Sequence, residues 1–173
     1  MQFHVKDLAI RPARFDVEPE PGKIDFLDAK LRQAGPLRAA GRVELATASI
    51  GEIRVSGHLK VTMVGPCDRC LEDAEHVIDV DFTLFYRPDA SGEFGSDTGI
   101  DEGEVEIGFY EGEALELEEV LREQVMLALP MQMLCRPDCK GICPVCGQNR
   151  NEASCECDTS MVDERWAALK QIQ

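Results

Sequence analysis

Six cysteines crowd into "CRPDCKGICPVCGQNRNEASCEC", from Cys135 to Cys157, and the only two others stand in "CDRC", at Cys67 and Cys70. No other feature limits the fold as tightly. Eight thiols in short pairs read either as a disulfide framework or as metal ligands. Disulfide frameworks belong to small secreted domains, whereas dense cysteines in a reducing compartment are more often metal ligands. The opening "MQFHVKDLAIRPARF" lacks the apolar run of a signal peptide, so the chain is expected to be cytoplasmic. Its apolar stretches fall far short of a membrane span, and no membrane partner is expected.

Zinc takes four thiolates at the corners of a tetrahedron. A CxxC turn brings two sulfurs to one side of the backbone. In "CPVCG", Pro144 sets φ, and Gly147 accepts the left-handed conformation that lets the following N–H groups point at sulfur. Four thiolates on one Zn²⁺ leave a net charge of about −2, which Arg69, Arg136, Lys140 and Arg150 are placed to offset. Eight cysteines make two such sites, hence two zinc ions. The favoured partition puts Cys67, Cys70, Cys135 and Cys139 on one ion and Cys143, Cys146, Cys155 and Cys157 on the other. The second set closes a loop of eight residues between its CxxC and CxC, and a closure that short is entropically cheap. The distant CDRC would then be clamped to the segment after the main helix, fixing that helix against the sheet. The competing partition joins Cys135 and Cys139 to Cys143 and Cys146, leaving Cys67 and Cys70 for Cys155 and Cys157. Spacing alone does not decide between them. A thioredoxin-type CxxC opens a helix in a βαβ unit, and CDRC lies instead between two strands. Four thiolates also suit an iron–sulfur cluster, but CPxCG favours zinc.

The rest of the chain reads as a body that carries these sites. "GEIRVSGHLKVTMVG" alternates, with Ile53, Val55, Leu59, Val61 and Met63 on one face. "HVIDVDFTLFYRP" does the same through Ile78, Val80, Phe82, Leu84 and Tyr86. A period of two marks half-buried strands. With "GPCDRCLEDAE" between them, they form a long antiparallel hairpin with CDRC at its tip, and Lys60 and Arg54 can meet Asp79 and Asp81 across it. "RVELATA" and "EVEIGFY" are weaker strand candidates, the first residues hold another strand or two, and "DAKLRQAG" reads as a helical turn or two. Residues 113–129 form the main amphipathic helix, with Leu117, Val120, Leu121, Val125 and Ala128 at helical spacing and Pro130 as its stop. "DERWAALKQIQ" reads as a short terminal helix. The fold class expected is α+β: an antiparallel β-rich body curling toward a barrel, one main helix, a zinc-knuckle segment and the terminal helix. The domains expected are residues 1–130, including a mobile acidic loop at 88–103, and residues 131–173.

Charge narrows the partners. The net charge of −15 is concentrated in residues 89–123, which hold thirteen Asp and Glu against Arg122 alone. Residues 29–66 carry a net of +4. No strong basic footprint for nucleic acid emerges. Arg54, Lys60, Arg69, Lys140 and Arg150 are the candidates for phosphate contact, and the acidic stretch suits a basic protein. There is no phosphate-binding loop, dinucleotide fingerprint or nucleophile motif, so neither an enzyme nor a small-molecule substrate is expected.

Three stretches carry a resemblance. "PCDRCLE" after a long strand, "EQVMLALPMQMLC" and "CKGICPVCGQNRNEASCEC", in that order, resemble the YceD family, the large ribosomal RNA accumulation proteins. The likeness runs over about residues 50–172 and includes the closing "DERWAALKQI"; the first fifty residues match loosely. It implies a non-enzymatic role in producing or stabilising 23S rRNA, through precursor rRNA, a basic ribosomal protein or both. Family members that keep CxRC without the later cysteine run imply that the two metal sites are separable. A different class of function also fits the cysteines: a redox-switched chaperone holdase, in which oxidation ejects zinc and exposes apolar surface.

Overall fold

The computed structural model describes residues 1–46, 51–88 and 107–158. Most of the acidic loop at 88–103 and all of the terminal helix at 163–173 lie outside the described residues. The chain divides into two compact units: residues 1–64 with 75–131, and residues 65–74 with 132–173. The tip of the long hairpin thus belongs with the cysteine-rich segment. No helix among the described residues is long and apolar enough to cross a membrane.

The first unit is strand-rich. In chain order it contains β1 (Gln2–His4), the single turn α1 (Val5–Leu8), β2 (Ala13–Val17), β3 (Arg32–Gln33), β4 (Arg38–Leu45), β5 (Ile53–Pro66), β6 (Asp73–Pro88), β7 (Ile107–Tyr110), β8 (Ala114–Glu116) and α2 (Leu117–Ala128), with β5 and β6 running out into the hairpin tip. The larger sheet has the order β2-β4-β5-β6-β7, with β3 also pairing with β5. Among the described residues this is an open path, and the expected curl into a barrel is not found there. The alternation of β5 translates into burial: Ile53, Val55, Leu59, Val61 and Met63 are all buried. Across the hairpin, Ile78, Phe82 and Tyr86 are buried, and Val80 and Leu84 pack partly buried against the same core. From α2, Leu117, Val120, Leu121 and Val125 join them.

One row across the sheet shows the tolerance of the packing. Phe15 pairs with Gly41, which pairs with Gly57. A Cβ on Gly41 would collide with the Ser56 carbonyl and the Phe15 ring. The ring covers the space that two missing side chains leave, which keeps two strand-weakening glycines inside a sheet.

Three elements differ from the sequence reading. "DAKLRQAG" forms no helix: a turn closed by Leu31 N–H on the Asp28 carbonyl at 3.0 Å leads into β3, which pairs with Val64 and Met63 of β5. A helix of that length is marginal alone, and the sheet edge offers ladder bonds. The main helix starts at Leu117, not at residue 113, because Ala114–Glu116 pairs with the N-terminal strand, His4–Gln2. Its acidic first turn holds Glu118 and Glu119. Its end is as expected: Leu129, before Pro130, is already extended, the conformation proline imposes on its predecessor. Finally, β7 runs parallel to β6, with Phe85 opposite Ile107. A parallel neighbour needs a connection of a dozen or more residues, and residues 89–106 supply that length.

Candidate metal centres

Both cysteine groups lie in the second unit. The sulfurs of Cys67, Cys70, Cys135 and Cys139 all lie within 4.8 Å of one another, and so do those of Cys143, Cys146, Cys155 and Cys157. These are the groupings of the favoured partition; no group mixes the pairs as the competing one requires. In the first, inner cluster, Cys67, Cys70 and Cys139 are buried and Cys135 is exposed. In the second, outer cluster, only Cys143 is buried; Cys146 is exposed and Cys155 and Cys157 are half-buried.

The distances suit a tetrahedral ion. Cys67 and Cys139 sulfurs are 3.8 Å apart, and those of Cys70 and Cys135 are 3.6 Å apart. A metal–sulfur bond of about 2.3 Å gives a tetrahedral edge of about 3.8 Å, whereas a disulfide needs about 2.05 Å. All eight cysteines are free thiols. The two tetra-cysteine groups can each hold a metal ion, and the soft thiolate donor set fits zinc.

The two CxxC turns share one backbone design. Leu71 N–H donates to the Cys67 carbonyl at 2.9 Å, and Cys67 N–H to the Glu72 carbonyl at 2.7 Å. Gly147 N–H donates to the Cys143 carbonyl at 2.9 Å, and Cys143 N–H to the Gln148 carbonyl at 2.8 Å. The residue after the second cysteine is left-handed in both, Leu71 at φ 66° and Gly147 at φ 75°. Glycine adopts that conformation freely; leucine is strained there.

This backbone bends N–H groups onto sulfur. Burial opposes ionisation of Cys67, but the N–H groups of Cys135, Arg69 and Cys70 more than offset it and hold the thiol at about 6. For Cys143, the N–H groups of Cys146 and then Val145 lower it to about 6. Their neighbours resist: desolvation beside the other three cysteines and then the sulfurs of Cys70, Cys139 and Cys67 push the Cys135 thiol up to about 12, although the residue as a whole is exposed. At Cys157, contact with Cys146 and then burial do the same, to about 12. Adjacent thiolates repel, so a complete set of four is compatible with neutral pH only around a cation.

Hydrogen bonds tie together the stretches of chain that carry the cysteines, both within the inner cluster and between the clusters. Ile142 N–H donates to the Arg69 carbonyl at 2.9 Å, and the Arg69 guanidinium to the Cys139 carbonyl at 3.0 Å. The Asn151 side chain, from the loop between Cys146 and Cys155, donates to the Cys139 sulfur at 3.3 Å. Sequence reading had marked the arginines beside the cysteines and missed Asn151. Its only sequence-level signal was an amide inside a ligand loop.

The candidate phosphate contacts divide between the two units, Arg54 and Lys60 in the first and Arg69, Lys140 and Arg150 in the second. Lys60 pairs with Asp79 at 2.7 Å and Arg54 with Glu44 at 3.7 Å, while His58 bridges Asp79 and Asp81 at 3.1 and 2.9 Å. This strand face is therefore charge-balanced. Arg69 is committed to the Cys139 carbonyl. Lys140 and Arg150 are exposed in the second unit.

Residues 55–173 match the family described as "Large ribosomal RNA subunit accumulation protein YceD". An uncharacterized protein of Mycobacterium tuberculosis is 32% identical over 139 residues, covering 75% of this chain and 60% of the relative. One of Mycobacterium leprae is 26% identical over 152 residues, covering 80% of this chain and 67% of the relative. A Zea mays protein named "Large ribosomal RNA subunit accumulation protein YCED homolog 1, chloroplastic" is 24% identical over 131 residues, covering 62% of this chain and 44% of the relative. The chain thus spans 60% of the length of the first of these relatives. No solved structure matches.

Proposed function

Because the chain belongs to the YceD family, we propose that it promotes accumulation of large-subunit ribosomal RNA by binding rather than by catalysis, with one zinc ion in each thiol cluster. The observation that carries this reading is the family match itself, which spans both clusters. The proposed place of action is the compartment where large subunits are built, the cytoplasm in a bacterium. Zinc supplies a rigid scaffold: a closed four-thiolate site leaves no open position for a substrate, and such sites hold folds rather than turn over chemistry.

Charge supports a basic ribosomal protein as the direct partner. The chain is strongly acidic at −15, and Lys60 and Arg54 on the strand face are paired with carboxylates. Phosphate affinity scales with the number of cations a surface can offer, and here Lys140 and Arg150 are the candidates left for precursor rRNA. The chain would reach 23S rRNA chiefly through the assembling particle.

Depletion of the protein tests the reading. Mature 23S rRNA should fall relative to 16S, with the full chain restoring the ratio; an unchanged ratio overturns it. Crosslinking in cells should then recover a basic large-subunit protein ahead of naked precursor rRNA, and the reverse order would make the RNA the direct partner. Suppression of aggregation that appears only after oxidation would instead support the holdase reading.

A further inference from the structure

We infer that Asn151 couples the two thiol clusters: carried on the loop that closes the outer cluster, its amide donates to a sulfur of the inner one, so occupancy of the outer cluster sets how tightly the inner cluster holds its metal. This rests on the reading of both clusters as metal sites.

The orientation of the amide is settled by its partners. Its oxygen accepts the backbone N–H of Lys140 at 2.8 Å. Only oxygen can accept there, so the NH₂ group faces the Cys139 sulfur at 3.3 Å and the Asn149 side-chain oxygen at 3.0 Å. Asn149 also accepts the Asn151 backbone N–H at 3.0 Å. Asn151 is thereby held by both its backbone and its side chain.

The loop that carries Asn151 is positioned by the outer cluster's own turn. Ile142 and Asn149 form an antiparallel bridge. Arg150 N–H donates to the Gly141 carbonyl at 2.9 Å, and Cys143 N–H to the Gln148 carbonyl at 2.8 Å. The loop leaves the cluster at Cys146 and returns at Cys155, so an ion bound by both ends closes it. Without the ion, both ends are released and only these short-range bonds oppose the entropy of an open loop. The amide then loses its fixed approach to Cys139.

An N–H donor on a thiolate draws off charge and favours the ionised, metal-binding form. Partners that hydrogen-bond to metal ligands typically alter metal affinity by roughly 10- to 100-fold when removed. Coupling of this kind is reciprocal in equilibrium affinity: filling the inner cluster must also tighten the outer one. The more exposed outer cluster meets chelators and oxidants first, and its loss would loosen the buried cluster through one amide.

The test uses the full chain loaded with zinc and held in a zinc buffer that keeps the intact clusters filled, with exchange of bound zinc for a labelled isotope followed in time. Cys146→Ser leaves only the inner cluster intact and Cys67→Ser only the outer, which assigns the two phases. Asn151→Asp keeps an oxygen for the Lys140 N–H but removes the donor to sulfur. Release from the inner cluster should accelerate by roughly 10- to 100-fold, with the outer phase the less affected. Asn151→Ala, which adds no carboxylate, should give a smaller acceleration of the same phase. Cys146→Ser alone should accelerate inner release, and adding Asn151→Asp to it should bring little further, because both remove one interaction. An unchanged inner rate in both Asn151 variants overturns the inference. So does an unchanged inner rate in Cys146→Ser, or two effects that multiply. A wild-type chain that purifies without metal in either cluster would overturn the metal reading instead.

Discussion

The inner and outer clusters have four thiols each, including a CxxC turn with the same backbone bonds, yet they are built by different means. The outer cluster takes all its sulfurs from residues 143–157, and only Cys143 among them is buried. The inner cluster draws on two stretches of chain that meet where Cys70 approaches Cys135, 65 residues away in sequence, and it buries three of its four cysteines. A local site of this kind can assemble from its own segment. The inner site assembles only once the β5–β6 hairpin and the chain after α2 are in place. An ion held there would cross-link a long loop, which removes more conformational freedom from the unfolded chain than a short closure does.

The largest effect expected from this difference is on stability. Structural zinc contributes on the order of 10 kcal/mol to small domains. Cys67→Ser and Cys139→Ser should each lose the same ion and lower the melting temperature most. Cys146→Ser should lose the other ion with a smaller drop. Metal analysis beside calorimetry checks both. If Cys67→Ser and Cys155→Ser remove the same ion, the two clusters are not the units described here.

Oxidation should sharpen the contrast next. Thiol reactivity follows exposure and thiolate character, and the outer cluster has the exposed Cys146 beside the easily ionised Cys143. Under limiting peroxide, the exposed Cys146 should be modified before the buried Cys67 and Cys139, as read by differential alkylation and mass spectrometry. Equal rates would mean that burial does not protect the inner cluster.

The smallest effect concerns the paired turns. Leu71 is left-handed and 67% exposed, where the outer turn has glycine. Leu71→Gly should relieve strain and stabilise by up to about 1 kcal/mol, while Gly147→Ala should cost about the same, with zinc content unchanged in both. A destabilised Leu71→Gly would show that the leucine side chain makes a contact worth more than its backbone strain.

Much of the body could be read from pattern because its elements answer to local rules. The alternation over Ile53–Met63 and Ile78–Tyr86 predicted the hairpin and its buried face, and the spacing of Leu117, Val120, Leu121 and Val125 predicted α2 with its stop before Pro130. The departures arose where distant partners intervened. Residues 114–116 pair with the N-terminal strand, and residues 32–33 with β5. The parallel setting of β7 is equally invisible locally, because alternation is the same for either direction.

The sequence alone determined the chemistry of the candidate centres: eight cysteines, the CPVCG turn whose glycine suits a left-handed backbone, and the charge that disfavours a nucleic-acid footprint. Those properties reside in single side chains and in near-neighbour backbone geometry, which a linear order carries. Tertiary structure decided which sulfurs meet, that Lys60 and Arg54 are paired with Asp79 and Glu44, and that Asn151 reaches Cys139. Each of these depends on the distance between groups far apart in sequence or across a loop, and that distance is set only when the hairpin, the helix and the ligand loop are folded together.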